Sequence, residues 1–338
     1  MISCHNHYLG SPDFIRLTFH LITYLAIPLH VFGFYCIICK TPNHMRSIKW
    51  LLLNLHTWCI LLDITISFLG IPYILYPAIA GYGLGPIESP GLFFYLGVTF
   101  IAGVSTSIFV VFENRYYILF GESTFWKHIR KYGIAISYIL VPLYFLPPQL
   151  FIPEQEKARE IAWDMLQCIP ELPKNNRPLF VIAVELPLIA ATIGVGALIP
   201  TIECGTFLLL NCYNLIYTSS SGISRHTVKM QHRLVLALII QSSITFILFL
   251  IPISMIILFV YFRYQNQIFN NLIFVSLAIH GIASTLIMVF VHSPYRDFAF
   301  SPIYWFTKKP PIVRVLPSVL LSRNIETQRE TSNVRIGI

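Results

Sequence analysis

Charge is scarce in this sequence. Only 11% of its 338 residues are Asp, Glu, Lys or Arg, against about 25% in an ordinary soluble domain. With 56% hydrophobic residues, a water-soluble globule of this length has more apolar surface than it can hide, so the predicted solvent is lipid. Catalytic signatures are missing as well: there is no HExxH, no GxSxG and no Walker loop. Hydrolytic and nucleotide chemistry therefore lack residues to carry them, and neither enzymatic activity nor a cofactor is expected. A disulfide framework is excluded too. Of seven cysteines, Cys36, Cys39, Cys59, Cys204 and Cys212 fall inside apolar runs, where a thiol acts as a small buried hydrophobe. Cys36 and Cys39 form one CxxC without a second pair, and His5-x-His7 beside Cys4 is a weak metal signal, so no metal site is expected. The formal net charge of +8 is spread in short pieces between apolar runs, which suits an anionic membrane surface and not nucleic acid. Met1 to Arg16 is polar and argues against a cleavable signal peptide, and nothing repeats at a fixed period.

What is present is a set of apolar runs long enough to cross a bilayer, near residues 17–39, 50–79, 92–120, 133–152, 188–217, 234–262 and 268–291. The predicted class is an all-α membrane protein, a seven-helix bundle. Several runs contain proline (Pro28, Pro72, Pro77, Pro142, Pro147, Pro148, Pro187, Pro200 and Pro252). In lipid the backbone has no alternative partner, so proline kinks a spanning helix without dissolving it. The fifth run is interrupted by Glu185, Pro187, Pro200 and Glu203 and reads as one long helix or two short ones. Basic residues arbitrate. Seven spans with the N-terminus outside put 17 of the 23 Lys and Arg on the cytoplasmic side, while an eighth would carry the basic tail outward. Residues 1–16 are then an extracellular N-terminus, 17–296 the spanning domain, and 297–338 a cytoplasmic tail whose segment 297–309 is expected to lie at the membrane interface. There Pro302 is expected to confine any helix to one side of itself.

Charges inside the runs are the candidates for function. Asp63 lies mid-run in LLDITIS and Glu203 interrupts the fifth run; each carboxylate must face the bundle interior, a water pocket or the interface, or be protonated. Both are candidate ligand contacts, with a structural interhelical hydrogen bond as the plain alternative. Glu185 is expected in a solvated lead-in. In VVFENRYYILF, Glu113 and Arg115 follow twenty apolar residues, and Arg115 is either a snorkelling anchor or part of a charge lock with Glu113. Arg225, Lys229 and Arg233 repeat every fourth residue and share one face if the sixth helix extends past the membrane. HSPYR closes the last run, with Pro294 ending a helix, Tyr295 at the interface and Arg296 among headgroups.

In combination these stretches resemble the nematode serpentine chemoreceptors of class H, with class I the nearest alternative. The resemblance covers Leu17 to Arg296. It is carried by TPNHMRSIKWLLLNLHTW, IPYILYPAIAGYGLG, FENRYY, QCIPEL, SRHTVKMQHR with Gln241 and Pro252, NLIFVSLAIHGIAST and HSPYR. It implies a plasma-membrane receptor, in the sensory cilium, that binds a small environmental chemical and signals to a heterotrimeric G protein. Arg115 would match the arginine of the acidic-Arg-Tyr triplet of better-known receptors, although Asn114 separates it from Glu113. Pro294, Tyr295 and Arg296 would stand in place of Asn-Pro-x-x-Tyr. Glu113, Arg115, Arg225, Lys229 and Arg233 would join them on the signalling face. The entrance to helix three has no cysteine for the disulfide usual in such receptors, so Cys168 is expected to pair with Cys4 or stay free. A transporter or channel is the rival reading, and it would want more intramembrane charge than Asp63 and Glu203 supply.

Overall fold

A computed structural model describes residues 3–4, 7–87, 89–174, 177–217 and 225–307. It contains seven helical segments long and apolar enough to cross a membrane: Pro12–Lys40, Ile48–Gly70, Pro90–Leu119, Trp126–Leu150, Pro187–Asn214, Val235–Tyr261 and Gln267–Val291. The chain divides into Met1–Asp297 and Phe298–Ile338, and the bundle belongs to the first.

Helix α1 (Pro12–Lys40) starts five residues before the apolar run. Ser11 caps it by accepting from the Phe14 amide, and Pro12 occupies the first turn, where no amide partner is missed. Helix α2 (Arg46–Ile64) widens into a π-helical stretch, Thr65–Gly70. The second span was expected to reach residue 79 and instead ends at Gly70. Ile71 is left-handed (φ 44°) and Pro72 follows with no amide to donate. The apolar residues beyond build a sheet: β1 (Pro72–Ile74) and β2 (Ile79–Gly83) pair antiparallel, and β2 pairs with β3 (Phe180–Ala183). Tyr73, Ile74 and Tyr82 are buried in that sheet, so their apolar character reflects protein packing and not lipid.

Helix α3 (Pro90–Leu119), capped by Ser89, runs through the centre against α2, α4 and α7. Helix α4 (Trp126–Leu143) breaks before the short α5 (Leu146–Leu150), where Pro142, Pro147 and Pro148 cluster. After the surface helix α6 (Gln155–Asp164), α7 (Leu186–Tyr217) continues through Pro200 as one helix. Glu185 is exposed just ahead of it. Helix α8 (Arg225–Tyr261) contains Pro252 and packs along α9 (Gln267–Val291). Helix α10 spans Ser293–Thr307. Here Pro294 opens a helix instead of ending one, because its missing amide costs nothing in a first turn. Pro302 lies within α10, contrary to the expectation that it would bound the helix. Lys308, Lys309 and the rest of the tail lie outside the described residues.

The end of the bundle carrying the start of α1 is tied by polar side chains. The Tyr73 hydroxyl shares its one proton between the carbonyls of Gly10 (3.0 Å) and Glu171 (2.9 Å), and the Asn271 amide donates to the Leu9 carbonyl (2.9 Å). Gln267 reaches the Ile74 carbonyl (3.0 Å). Cys4 and Cys168 are disulfide-bonded, 5.0 Å apart at Cα, with Gln265 holding the Cys168 carbonyl (2.8 Å). Along the spans, large apolar side chains such as Tyr24, Val31, Ile139, Leu209 and Leu250 face outward over more than half their surface. Only lipid covers a perimeter of that kind without association.

One close helix contact lies at Gly103 in α3, where a Cβ would overlap the Trp58 ring of α2. Gly103→Val should destabilise the detergent-solubilised protein by about 1–3 kcal/mol, as overpacking does. Gly97→Val, whose Cβ would have nothing within 4 Å, should not. Paired thermal melts measure the difference.

Candidate functional site

Asp63 sits on α2 and is 2% exposed. Burial of its carboxylate in hydrocarbon demands a partner, and α1 supplies one: His30 Nε2 is 2.9 Å from Asp63 Oδ2. His30 Nδ1 is in turn 3.2 Å from the Thr285 hydroxyl on α9, and the His56 ring meets the His30 carbonyl at 3.1 Å. On the other side His280 of α9 approaches Asp63 Oδ1 only to 3.9 Å, its ring tilted against that of Phe249 of α8 with centroids 4.3 Å apart. Asp63 Oδ1 and both His280 ring nitrogens have no hydrogen-bond partner. This close approach depends on Gly281, since a methyl group there would overlap Asp63 Oδ2. The cluster thus joins spans one, two and seven with one histidine–carboxylate contact made at hydrogen-bond distance and a second left open. A crevice of about 320 Å³ borders it, lined by Thr23, Ile27, His30, Val31, Asp63 and Ser67 among others. Its walls are almost wholly apolar, and Ile27 and Val31 also face the perimeter.

Glu203 is placed elsewhere. It lies on α7 and accepts from the Ser137 hydroxyl of α4 (2.9 Å), while its second oxygen has no partner. It does not line the crevice beside Asp63, so the two carboxylates do not form one site.

At the opposite end of the bundle, the structure corrects the expected lock between Glu113 and Arg115. Glu113 turns toward α4, where it accepts from Trp126 Nε1 (2.7 Å), Arg130 Nε (2.7 Å) and Arg130 Nη2 (3.0 Å). Arg130 also lies over the Tyr117 ring, 4.1 Å from its centre. Residues two apart on a helix face different directions, which is why Arg115 is not the partner. Arg115 is itself 2% exposed, and its Nε and Nη2 have no hydrogen-bond partner. Nor is it a snorkelling anchor, because its head is enclosed by protein. Tyr295, expected at the interface, is fully buried. Its hydroxyl meets Thr41 Oγ1 at 2.8 Å, and its ring lies 5.6 Å from that of His292. Burial, aided by the nearby Arg115 cation, pushes the His292 imidazole down to about 4. Arg296 remains exposed, with Asp297 at 3.7 Å. Arg225, Lys229 and Arg233 fall within the first turns of α8, but their side chains lie outside the described residues.

The profile of the family described as "Serpentine type 7TM GPCR chemoreceptor Srh" matches residues 10–305. The chain belongs to this family. Among its relatives, "Serpentine receptor class H-72" of Caenorhabditis elegans is 25% identical over 320 residues, 91% of each chain. The crystal structure of squid rhodopsin superposes with a TM-score of 0.56 over 86% of this chain and 85% of its own, at 10% identity, which shows the shared fold. The protein is therefore a multi-pass serpentine chemoreceptor of the seven-helix G-protein-coupled receptor type.

In this Srh receptor several contributing residues escaped the sequence reading. His30 and His280 are the clearest, and a signal existed: each is a polar ring inside an otherwise apolar span, and a buried carboxylate needs such a neighbour. Arg130 and Trp126, which the sequence reading did not single out, together satisfy Glu113.

The neutral His292 gives a pH test. The unfolded chain takes up this proton near the ordinary histidine value of 6.5 and the folded receptor only near about 4. Acidification across that window favours the unfolded chain, and the contribution is fully present above about 6.5. Wild-type receptor should lose melting temperature more steeply than His292→Gln as pH falls through this range. Parallel slopes would count against the assignment.

Proposed function

We propose that this receptor binds a small environmental chemical within its spans and passes a conformational change to a heterotrimeric G protein. The end carrying the start of α1 then faces outside and the end carrying Arg115 faces the cytosol, in the plasma membrane and its sensory cilium. The observation that carries the signalling half is Arg115. A buried guanidinium with unmet donors is costly unless something pairs with it. Parting of the helix ends around Arg115 exposes it to the carbonyl and carboxylate groups of a cytosolic partner. That partner binds the parted state and not the closed one, which is the differential affinity any population shift requires. Tyr295, bonded to Thr41, and the basic residues Arg225, Lys229 and Arg233 of the α8 sequence complete the contact region, with Pro294 and Arg296 at the root of α10.

On the ligand side, Asp63 is the stronger contact and Glu203 the second. The crevice volume of about 320 Å³ lies at the small end of ligand pockets. Its apolar walls and carboxylate suit a partly hydrophobic molecule with one hydrogen-bond donor. A ligand that engages Asp63 competes with His30 and frees the carboxylate to approach His280, an alternative arrangement of the same three groups.

Arg115→Ala should preserve surface delivery while lowering second-messenger output per surface receptor roughly five-fold or more, the lower range of allosteric coupling. Lys131→Ala is the matched loss of charge, because Arg130 is engaged with Glu113 and Lys131 is exposed. Equal outputs from the two variants would remove the role given to Arg115. For the ligand side, Asp63→Asn should shift the dose–response curve for an activating odorant to higher concentration, whereas responses to direct activation of the G protein stay unchanged. An unshifted curve places the ligand away from Asp63.

A further inference from the structure

A second cavity, of about 280 Å³, lies where α1 ends and α2 begins, lined by Thr41, Asn43, Arg46, Lys49 and Trp50. Its composition differs from that of the crevice at Asp63. Among the described residues that line it, two are cations, two offer neutral polar groups and none is a carboxylate. Arg46 is exposed and has no hydrogen-bond or ion-pair partner among the described residues. Lys49 Nζ donates to the Ile38 carbonyl at the end of α1 (2.7 Å), which fixes the ammonium in place and leaves it two further donors. Trp50 is 66% exposed, and Lys49 Nζ lies 5.8 Å from its ring.

We propose that this cavity binds the phosphomonoester headgroup of a membrane lipid. The anion follows from the lining. The Arg46 fork and the Lys49 ammonium converge on one space, and a phosphate monoester carries the compensating charge with oxygens for both. Phosphatidylcholine is disfavoured because its ammonium finds no anion there. The source follows from position. The cavity straddles the boundary at which the spans Pro12–Lys40 and Ile48–Gly70 meet the interface, and an outward tryptophan at that level sits among headgroups. The size is right as well. One water occupies about 30 Å³ of liquid, so the space takes a phosphate together with the polyol ring that carries it.

Occupancy has a consequence for the receptor end. Thr41 lines the cavity, and its Oγ1 lies 2.5 Å from the Ile37 carbonyl and 2.8 Å from the Tyr295 hydroxyl. Thr41 has one proton to give, which goes to Ile37, so Tyr295 donates to Thr41. A headgroup seated against Thr41 braces the base of Tyr295, beside His292.

The test uses full-length receptor in detergent, titrated with phosphatidylinositol 4-phosphate and read by native mass spectrometry. Phosphatidylserine and phosphatidylcholine serve as reference lipids. The phosphomonoester lipid should bind at lower concentration than either reference. Arg46→Gln and the pair Arg46→Gln/Lys49→Gln should weaken it about five-fold or more, while Lys127→Gln/Lys131→Gln, an equal loss of charge elsewhere, should leave it unchanged. Arg46→Gln removes a side chain without partners, so its melting temperature should match the parent and exclude misfolding as the cause. Equal binding of the three lipids, or equal weakening by the two charge-loss pairs, overturns the site. Binding of soluble inositol 1,4-bisphosphate as tight as that of the lipid overturns the membrane source.

Discussion

A polar group buried in a hydrocarbon-bounded bundle has to find its partner within the protein, and the internal arrangement of this receptor follows from that requirement. The hydroxyls of Thr23, Thr57, Ser105, Thr201 and Ser242 satisfy it locally by donating to the carbonyl four residues back on their own helix. Larger polar groups cannot. Asp63 needs His30 from α1, Glu113 needs Trp126 and Arg130 from α4, Glu203 needs Ser137 from α4, and Asn211 reaches the Phe112 carbonyl on α3. Each requirement becomes a contact between helices, so the scarce polar residues dictate which faces meet.

Several buried polar atoms stay without a partner, among them a pair at mid-bundle and a cation at the end carrying Arg115. Asp63 Oδ1 and His280 face each other across a gap too wide for a hydrogen bond, and Arg115 keeps two donors unpaired. Fully satisfied networks hold one arrangement, and partly satisfied ones leave a second arrangement close in free energy. Span seven connects the two places: His280 lies on α9 and His292 immediately after it, next to Tyr295.

Much of this architecture was legible in the sequence, because hydrophobic length and the positions of charge are properties of the chain alone. Seven runs and the continuity of α7 through Pro200 follow from that pattern. The stretch from Pro72 to Gly83 was misread for a physical reason. Burial in a sheet and burial in lipid select the same residues, Tyr, Ile and Ala, and only pairing with the distant Phe180–Ala183 separates them. The sequence left Arg115 as an anchor or as a lock with Glu113, and the structure forms neither. Residues two apart on a helix point in different directions, and the Arg115 head is enclosed by protein.

By itself the sequence determined the solvent, the number of spans, the family and the cost of each buried charge, since these depend on composition and order. Which group answers each charge was decided only by tertiary structure. His30 lies 33 residues from Asp63 and Arg130 lies 17 from Glu113, and Thr41 meets Tyr295 across 254 residues. No local rule links such pairs. They are brought together by helix packing, which at Arg115 leaves two guanidinium nitrogens without a hydrogen-bond partner.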